Sequence, residues 1–251
     1  MGYPMLRRGS RGSAVRVLQG ALNERQLEFG QSGAWWGPPL DVDGAFGPIT
    51  ESRVKVFQFE LWLIEDGIVG PATWAGVLAN EHYVIEHRVT LKPQRNESSC
   101  WLAVTEMLLG RSLTRAEIQA RVPRQFLAPD GGLFNETDIQ ADGRVLKAYA
   151  ESFGLRFFSP KSWPAAKLAE VMRRGPVAVN ELLNLQRFHA NLPTESHWLV
   201  LGDIRGDGTE AGTTVRVYDP LPVNQGQIFR WGYKNLVQQF PGMSYQLLQK
   251  R

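Results

Sequence analysis

The sequence predicts a multi-domain chain: a small all-α domain of three helices, then an α+β domain with helices first and an antiparallel sheet second. Three observations predict it. An Asp-Gly/Gly-Pro pattern occurs twice in the first third of the chain, with helical apolar spacing around it. Helical spacing then recurs from Cys100 to Arg174. From Pro176 onward it gives way to short runs rich in Val.

The first copy of the pattern is Asp43-Gly44-Ala45-Phe46-Gly47-Pro48-Ile49-Thr50, and the second is Asp66-Gly67-Ile68-Val69-Gly70-Pro71-Ala72-Thr73. Each reads as a tight Asp-Gly turn, an apolar anchor, a Gly-Pro turn and a Thr that starts a helix. Between the copies, Val54, Phe57, Leu61 and Trp62 recur at helical spacing. Upstream, Val15, Leu18 and Leu22 mark another amphipathic helix, opened by Gly9-Ser10-Arg11-Gly12-Ser13. The expected division is 1–80 for the helical domain, 81–90 for a polar linker and 91–251 for the second domain.

The second domain should hold helices at Cys100–Leu109, Leu113–Arg121 (opened by Ser112 or Thr114), Thr137–Phe153 and Ala165–Arg174. Pro176-Val177-Ala178-Val179, His197-Trp198-Leu199-Val200-Leu201 and Thr214-Val215-Arg216-Val217-Tyr218 read as strands.

The chemistry is expected around Cys100, the single cysteine. A nucleophilic thiol needs a base, a group that orients the base, and donors for an oxyanion. A helix N-terminus favours the thiolate, and Cys100 stands where a helix should begin, after the capping-type residues Asn96-Glu97-Ser98-Ser99. Gln94, six residues earlier, can donate an amide N–H to an oxyanion beside the backbone N–H of Cys100. His197 opens one strand as the base and Asp219 closes the next as its orienting acid. His189 is the rival base and Asp203 the rival acid, the latter read as a turn residue. Asn96 is the rival oxyanion donor. Trp101 and Trp198, beside nucleophile and base, are candidate substrate contacts.

Two resemblances follow from these residues. Leu6-Arg7-Arg8-Gly9-Ser10-Arg11-Gly12 with Val15, Leu18 and Gln19, both Asp-Gly/Gly-Pro motifs, Phe57-Gln58 and Trp74 resemble the peptidoglycan-binding domain of bacterial and phage wall hydrolases. The link before Asp43 is longer than that pattern needs and carries Trp35 and Trp36 beside Gly37-Pro38-Pro39. These two rings fit either stacking on a glycan or packing against the second domain. The order Gln94, Cys100-Trp101, Gly175-Pro176, His197 and Asp219-Pro220 resembles the papain-like cysteine peptidases, in particular a bacterial branch with an Asp-Pro acid motif that includes secreted effectors. Glu97 and Ser98 replace the structural cysteine and glycine of the animal and plant enzymes.

Together the resemblances imply a wall-targeted cysteine amidase or endopeptidase that cuts amide bonds in peptidoglycan peptides, as an antibacterial effector or a phage lysin. The alternatives are a cysteine protease or deamidase acting on a protein, with the first domain used for docking, and an inactive wall-binding protein. Peptidoglycan is the expected partner. An effector would add a secretion machine and an immunity or inhibitor protein. Thiol chemistry needs no cofactor, and none is expected.

Composition narrows the classes. A net charge of +3 suits an anionic wall and gives no ground for nucleic-acid binding. Asp41 with Asp43, and Gly206-Asp207-Gly208, lack the oxygen-ligand run of a calcium loop, so no metal site is expected. No apolar run is long enough for a membrane span. The amino-terminal residues show no recognisable Sec-type signal; secretion or delivery to the wall or periplasm is expected, by a route that the sequence does not name.

Overall fold

The computed structural model describes residues 3–29, 37–61, 63–79, 83–122, 124, 127, 129, 131–133, 144–182, 196–238 and 244–251. Contacts divide the chain into two compact units, Met1–Val84 with Arg205–Thr214, and Ile85–Ile204 with Val215–Arg251.

The first unit is helical: α1 (Ser13–Phe29), α2 (Pro48–Glu60) and α3 (Pro71–Leu78). Val15, Leu18, Leu22, Val54, Phe57 and Leu61, the residues at helical spacing, are all buried in one core with Leu6, Phe46, Val69 and Trp74. Trp62 lies outside the described residues. Two short bridges, Leu6 with Val69 and Arg11 with Ala45, tie the amino-terminal loop to the two repeat copies.

The repeat has a physical basis that its turn residues alone do not reveal. Gln19 on α1 donates from Nε2 to Asp43 Oδ1 at 2.8 Å and to Ala45 O at 3.2 Å, and its Oε1 accepts the Gly44 N–H at 2.8 Å. Gln58 on α2 does the same for the second copy. Its Nε2 donates to Asp66 Oδ1 at 2.9 Å and Ile68 O at 3.0 Å, and its Oε1 accepts the Gly67 N–H at 2.9 Å. Each Asp-Gly turn is thus locked by one buried glutamine from the preceding helix. Gly44 and Gly67 hold φ of 77° and 74°, the left-handed region that glycine enters without penalty.

The threonines do not open the helices. Gly47 and Gly70 are the N-caps, Pro48 and Pro71 follow, and Thr50 and Thr73 sit in the first turn. Their hydroxyls face back to the turn carbonyls Ala45 O and Ile68 O. Proline at the first helical position removes one of the N–H groups that a helix start leaves without an intrahelical acceptor.

Replacing Gln58 by Leu should leave Gly67 N–H without its buried acceptor and Asp66 without its side-chain donor, with only the Ile68 N–H remaining on Oδ1. A loss of about 3 kcal/mol is expected. Denaturant unfolding of the whole chain, followed through the first unit, checks it; a change below about 1 kcal/mol would refute the lock. Gln19→Leu should behave alike.

In the second unit come β1 (Tyr83–Ile85), α4 (Cys100–Leu109), α5 (Arg115–Arg121), α6 (Arg144–Ser152), β2 (Leu155–Ser162) and α7 (Ala165–Met172), with Tyr83 and Val84 counted in the first unit. They are followed by β3 (Val177–Leu182), β4 (Ser196–Gly206), β5 (Thr214–Asp219), β6 (Gln227–Gly232), α8 (Tyr233–Val237) and β7 (Ser244–Lys250), with Arg205, Gly206 and Thr214 counted in the first unit. The sheet runs β2-β7-β3-β4-β5-β6. The pairs β2/β7, β3/β7 and β3/β4 are antiparallel, the last with Val177 opposite Leu201 and Glu181 opposite His197. The helical region is therefore followed by a sheet-rich antiparallel region.

α5 begins at Thr114, not Ser112: Thr114 Oγ1 accepts the Glu117 N–H while Glu117 accepts the Thr114 N–H, a reciprocal cap. The helix expected from Thr137 is described from Arg144 onward. α4 packs against the sheet with Trp101, Val104, Met107 and Leu108, meeting Ala178, Trp198, Val200 and Leu248 in one buried cluster. No described helix is long and apolar enough to cross a membrane.

Candidate active site

Cys100 is the first residue of α4, and it is buried. The loop before it is built around Ser99, the N-cap. Ser99 Oγ accepts the Arg95 N–H at 2.9 Å and the Asn96 N–H at 3.1 Å, and donates to Asn96 O at 3.1 Å. The hydroxyl is consumed in shaping the loop and does not cap the helix. Leu102 and Ala103 donate their N–H groups to Ser99 O. The Cys100 N–H precedes them, in the first turn where helix donors lack intrahelical acceptors.

β4 and β5 are neighbours in the sheet, and this brings His197 and Asp219 together across twenty-two residues of sequence. His197 Nε2 lies 2.6 Å from Asp219 Oδ1. Both are buried, His197 to 4% exposure. With Nε2 committed to the carboxylate, Nδ1 is the ring nitrogen left for Cys100, whose hydrogen bonding and charge act on the same imidazole.

Burial alone would lower the proton affinity of His197. The hydrogen bond it donates to Asp219 and the interaction with Cys100 outweigh it and push the imidazole up to about 9. Asp219 shows the complementary effect. Burial acts to raise its carboxyl, but His197, the Leu221 N–H and Gln227 together hold it below the ordinary carboxylate range. Leu221 N donates to Oδ1 at 2.8 Å and Gln227 Nε2 to Oδ2 at 2.8 Å. At neutral pH the site is a buried imidazolium between a carboxylate and a sulfur.

Gln94 is buried beside the nucleophile loop, but its amide is not aimed as expected. Both N–H groups of Nε2 are taken, by Asn96 O at 2.9 Å and Glu97 O at 3.1 Å. An amide nitrogen has two donors, so in this arrangement none is left for an oxyanion, and Gln94 serves as a brace of the loop. Its Oε1 is buried without a partner among the described residues. Through its backbone Gln94 also joins the loop to the segment after Asp219: its N–H donates to Pro220 O at 3.0 Å, and its carbonyl accepts the Asn224 N–H at 2.8 Å. Asn96, the rival donor, caps the same loop, its Oδ1 accepting the Ser98 N–H.

The tryptophans part company with their expected role. Trp101 is 5% exposed, donates from Nε1 to Gly131 O at 3.1 Å and meets Tyr149 edge-on at 5.8 Å. Trp198 is 3% exposed in the same cluster. Both rings are enclosed by core neighbours, so packing replaces the substrate contact expected of them. Trp35 and Trp36 lie outside the described residues, as does His189.

Asp203 is in the middle of β4 and fully buried, not in a turn. Its Oδ1 accepts the His87 N–H at 2.7 Å, and Oδ2 lies 2.7 Å from Arg216 Nη1. These partners commit it elsewhere, so Asp219 is the acid that meets His197. Among the described residues, no three His, Cys, Asp or Glu side chains cluster as a metal would require.

Sequence reasoning did not single out Gln227 or the Leu221 N–H. A glutamine at the start of an edge strand, eight residues past the acid, carries no pattern that separates it from other polar residues of Val223-Asn224-Gln225-Gly226-Gln227.

Residues 11–75 match the family described as "Putative peptidoglycan binding domain". An uncharacterized protein in the bpoA1 3' region of Kitasatospora aureofaciens is 47% identical over 72 residues, 29% of this chain and 53% of that one. The zinc D-Ala-D-Ala carboxypeptidase of Streptomyces albus G is 44% identical over 69 residues, 28% of this chain and 24% of that one. The chain thus spans about half, and about a quarter, of the length of these relatives. Among solved structures, a Burkholderia AP3 phage endolysin aligns over 59% of this chain and 52% of its own, at 24% identity and a TM-score of 0.24.

Proposed function

We propose that this chain is a peptidoglycan-directed cysteine hydrolase, with a wall-binding module at 1–80, a connector at 81–90 and a papain-like catalytic domain at 91–251. The observation that carries the catalytic half is the buried His197–Asp219 contact at 2.6 Å, on an imidazole whose proton affinity Cys100, the first residue of α4, also raises. The match of residues 11–75 to a peptidoglycan-binding family supports the substrate. So does the 44% identity over 69 residues to a zinc D-Ala-D-Ala carboxypeptidase.

The chemistry follows from the geometry. The imidazolium of His197 stabilises negative sulfur on Cys100, which attacks an amide carbonyl. The Cys100 backbone N–H is the donor nearest the developing oxyanion, and Gln94 can add a second only by releasing one of its carbonyls. The C–N bond breaks as His197 delivers its proton to the leaving amine, leaving a thioester. His197, now neutral, takes a proton from water as that water attacks the thioester; the C–S bond breaks, the acyl group leaves as a carboxyl product, and Cys100 with the protonated His197 is regenerated. Asp219 holds the productive tautomer throughout. The first domain concentrates the enzyme on its polymer without touching the reacting bond.

Purified peptidoglycans of several wall chemotypes, digested with wild type and Cys100→Ala and analysed by mass spectrometry, test this reading. The expected product set contains a new amine and a new carboxylate for each amide cut, present only with Cys100. A Cys100-independent pattern, or none from any chemotype, would overturn it.

A further inference from the structure

Asp219 does not face His197 unaided. Its Oδ1 serves two donors, the imidazole at 2.6 Å and the Leu221 N–H at 2.8 Å, while Oδ2 is met by Gln227 Nε2 at 2.8 Å. A carboxylate held at one oxygen can still turn about its Cβ–Cγ bond. A donor on the other oxygen removes that freedom.

The chain goes to some length to place this amide. After Asp219 it doubles back sharply: Gln225 and Gly226 donate their N–H groups to Pro222 O, at 3.0 and 2.8 Å, and Asn224 donates to Gln94 O at 2.8 Å. Gly226 has φ of 63°, and a Cβ there would lie 3.2 Å from Asp219 O and 3.1 Å from Leu91 Cδ2. The glycine lets the returning strand press against the backbone of Asp219, and the next residue is Gln227. The same loop is hydrogen-bonded to the segment that leads into Cys100. The position of Gln227 is therefore fixed from both sides of the site.

We propose that Gln227 is a positioning residue acting through Asp219: its amide clamps Oδ2 so that Oδ1 is presented to His197. The proposal rests on the catalytic reading above and extends it by one residue that never touches substrate. Gln227 itself is largely exposed, so its value lies in orientation and charge stabilisation, not in burial. Asp219 is held ionised against its burial by His197, Leu221 and Gln227, in that order.

The test uses the full chain with Gln227→Ala and with Gln227→Glu, a near-isostere that cannot donate when ionised. Alkylation of Cys100 by iodoacetamide is followed against pH, with thermal melts of each variant. Gln227→Ala should move the acid limb of the profile to higher pH and slow alkylation near pH 6 roughly fivefold. Gln227→Glu should move it further, because two carboxyls sharing a site raise one another's proton affinity. Carbon-13 NMR titration of the Asp219 carboxyl should show its midpoint rising in Gln227→Ala. Profiles and midpoints that overlay wild type, or a rate loss that tracks only a lowered melt, would overturn the proposal. Wild-type Cys100 that is unreactive, or indifferent to loss of His197, would instead refute the catalytic reading, while the carboxyl titration, which needs no reactive thiol, still decides Gln227.

Discussion

His197→Gln is expected to lower Cys100-dependent hydrolysis by about 10³-fold, within the range that a general acid–base group contributes. The loss has three sources. The imidazolium that balances negative sulfur disappears, the leaving amine has no proton donor, and the deacylating water has no base. Glutamine is the better probe than alanine. Asp219 is buried and ionised, with His197 as the ring donor on its Oδ1. Alanine would remove the ring donor from Asp219 and leave the buried carboxylate to the Leu221 N–H and Gln227 alone, costing stability and confusing catalysis with folding. A glutamine amide can still donate to Oδ1 but cannot shuttle a proton. Hydrolysis of a wall fragment, measured with melts and thiol alkylation, separates the two effects. A well-folded variant that retained more than about a tenth of wild-type turnover would mean that another group, such as His189, is the base.

Much of the fold and part of the site could be read from the sequence, and the division has a physical cause. α4, expected at Cys100–Leu109, occupies that range, because Gly110 stops it with φ of 70°. The Asp-Gly/Gly-Pro turns were visible because turn chemistry is local. Gln19 and Gln58 stood out only as parts of a resemblance, and their role as locks was not visible. Gln19 lies twenty-four residues before Asp43, whereas Gln58 lies eight before Asp66, so the repeat is spatial and not one of spacing. Cys100, His197 and Asp219 were each tied to an element whose neighbour could be guessed, and the order of β4 and β5 in the sheet supplies the meeting of acid and base. The orientation of an amide is another matter. Whether Gln94 Nε2 points at an oxyanion or at Asn96 O and Glu97 O depends on loop carbonyls that sequence does not place. Burial of Trp101 and Trp198 was also hidden, because an aromatic beside a catalytic residue reads the same whether it lines a cleft or fills a core.

The pH dependence gives the sharpest consequence of the site. An unfolded chain carries an ordinary imidazole, near 6.5, whereas folded His197 titrates at about 9. Below pH 6.5 both states hold the proton and the stabilisation is complete. As pH rises toward 9, only the folded chain keeps it, and the contribution is lost through that window. The difference corresponds to roughly 3 kcal/mol. Stability measured by denaturant unfolding should therefore decline from pH 6.5 to 9. Turnover should show an alkaline limb near pH 9, where the imidazolium that protonates the leaving amine disappears. Asp219→Asn removes the charge that favours imidazolium while keeping an acceptor of similar shape. In that variant the limb should move down by about one to two pH units, and the stability decline should flatten. Alkylation of Cys100 needs no proton from His197, so it should not fall above pH 9 even as turnover does. That split assigns the alkaline limb to the acid role of His197. If wild type and Asp219→Asn shared one alkaline limb, the 2.6 Å contact would not be what holds the proton on the imidazole.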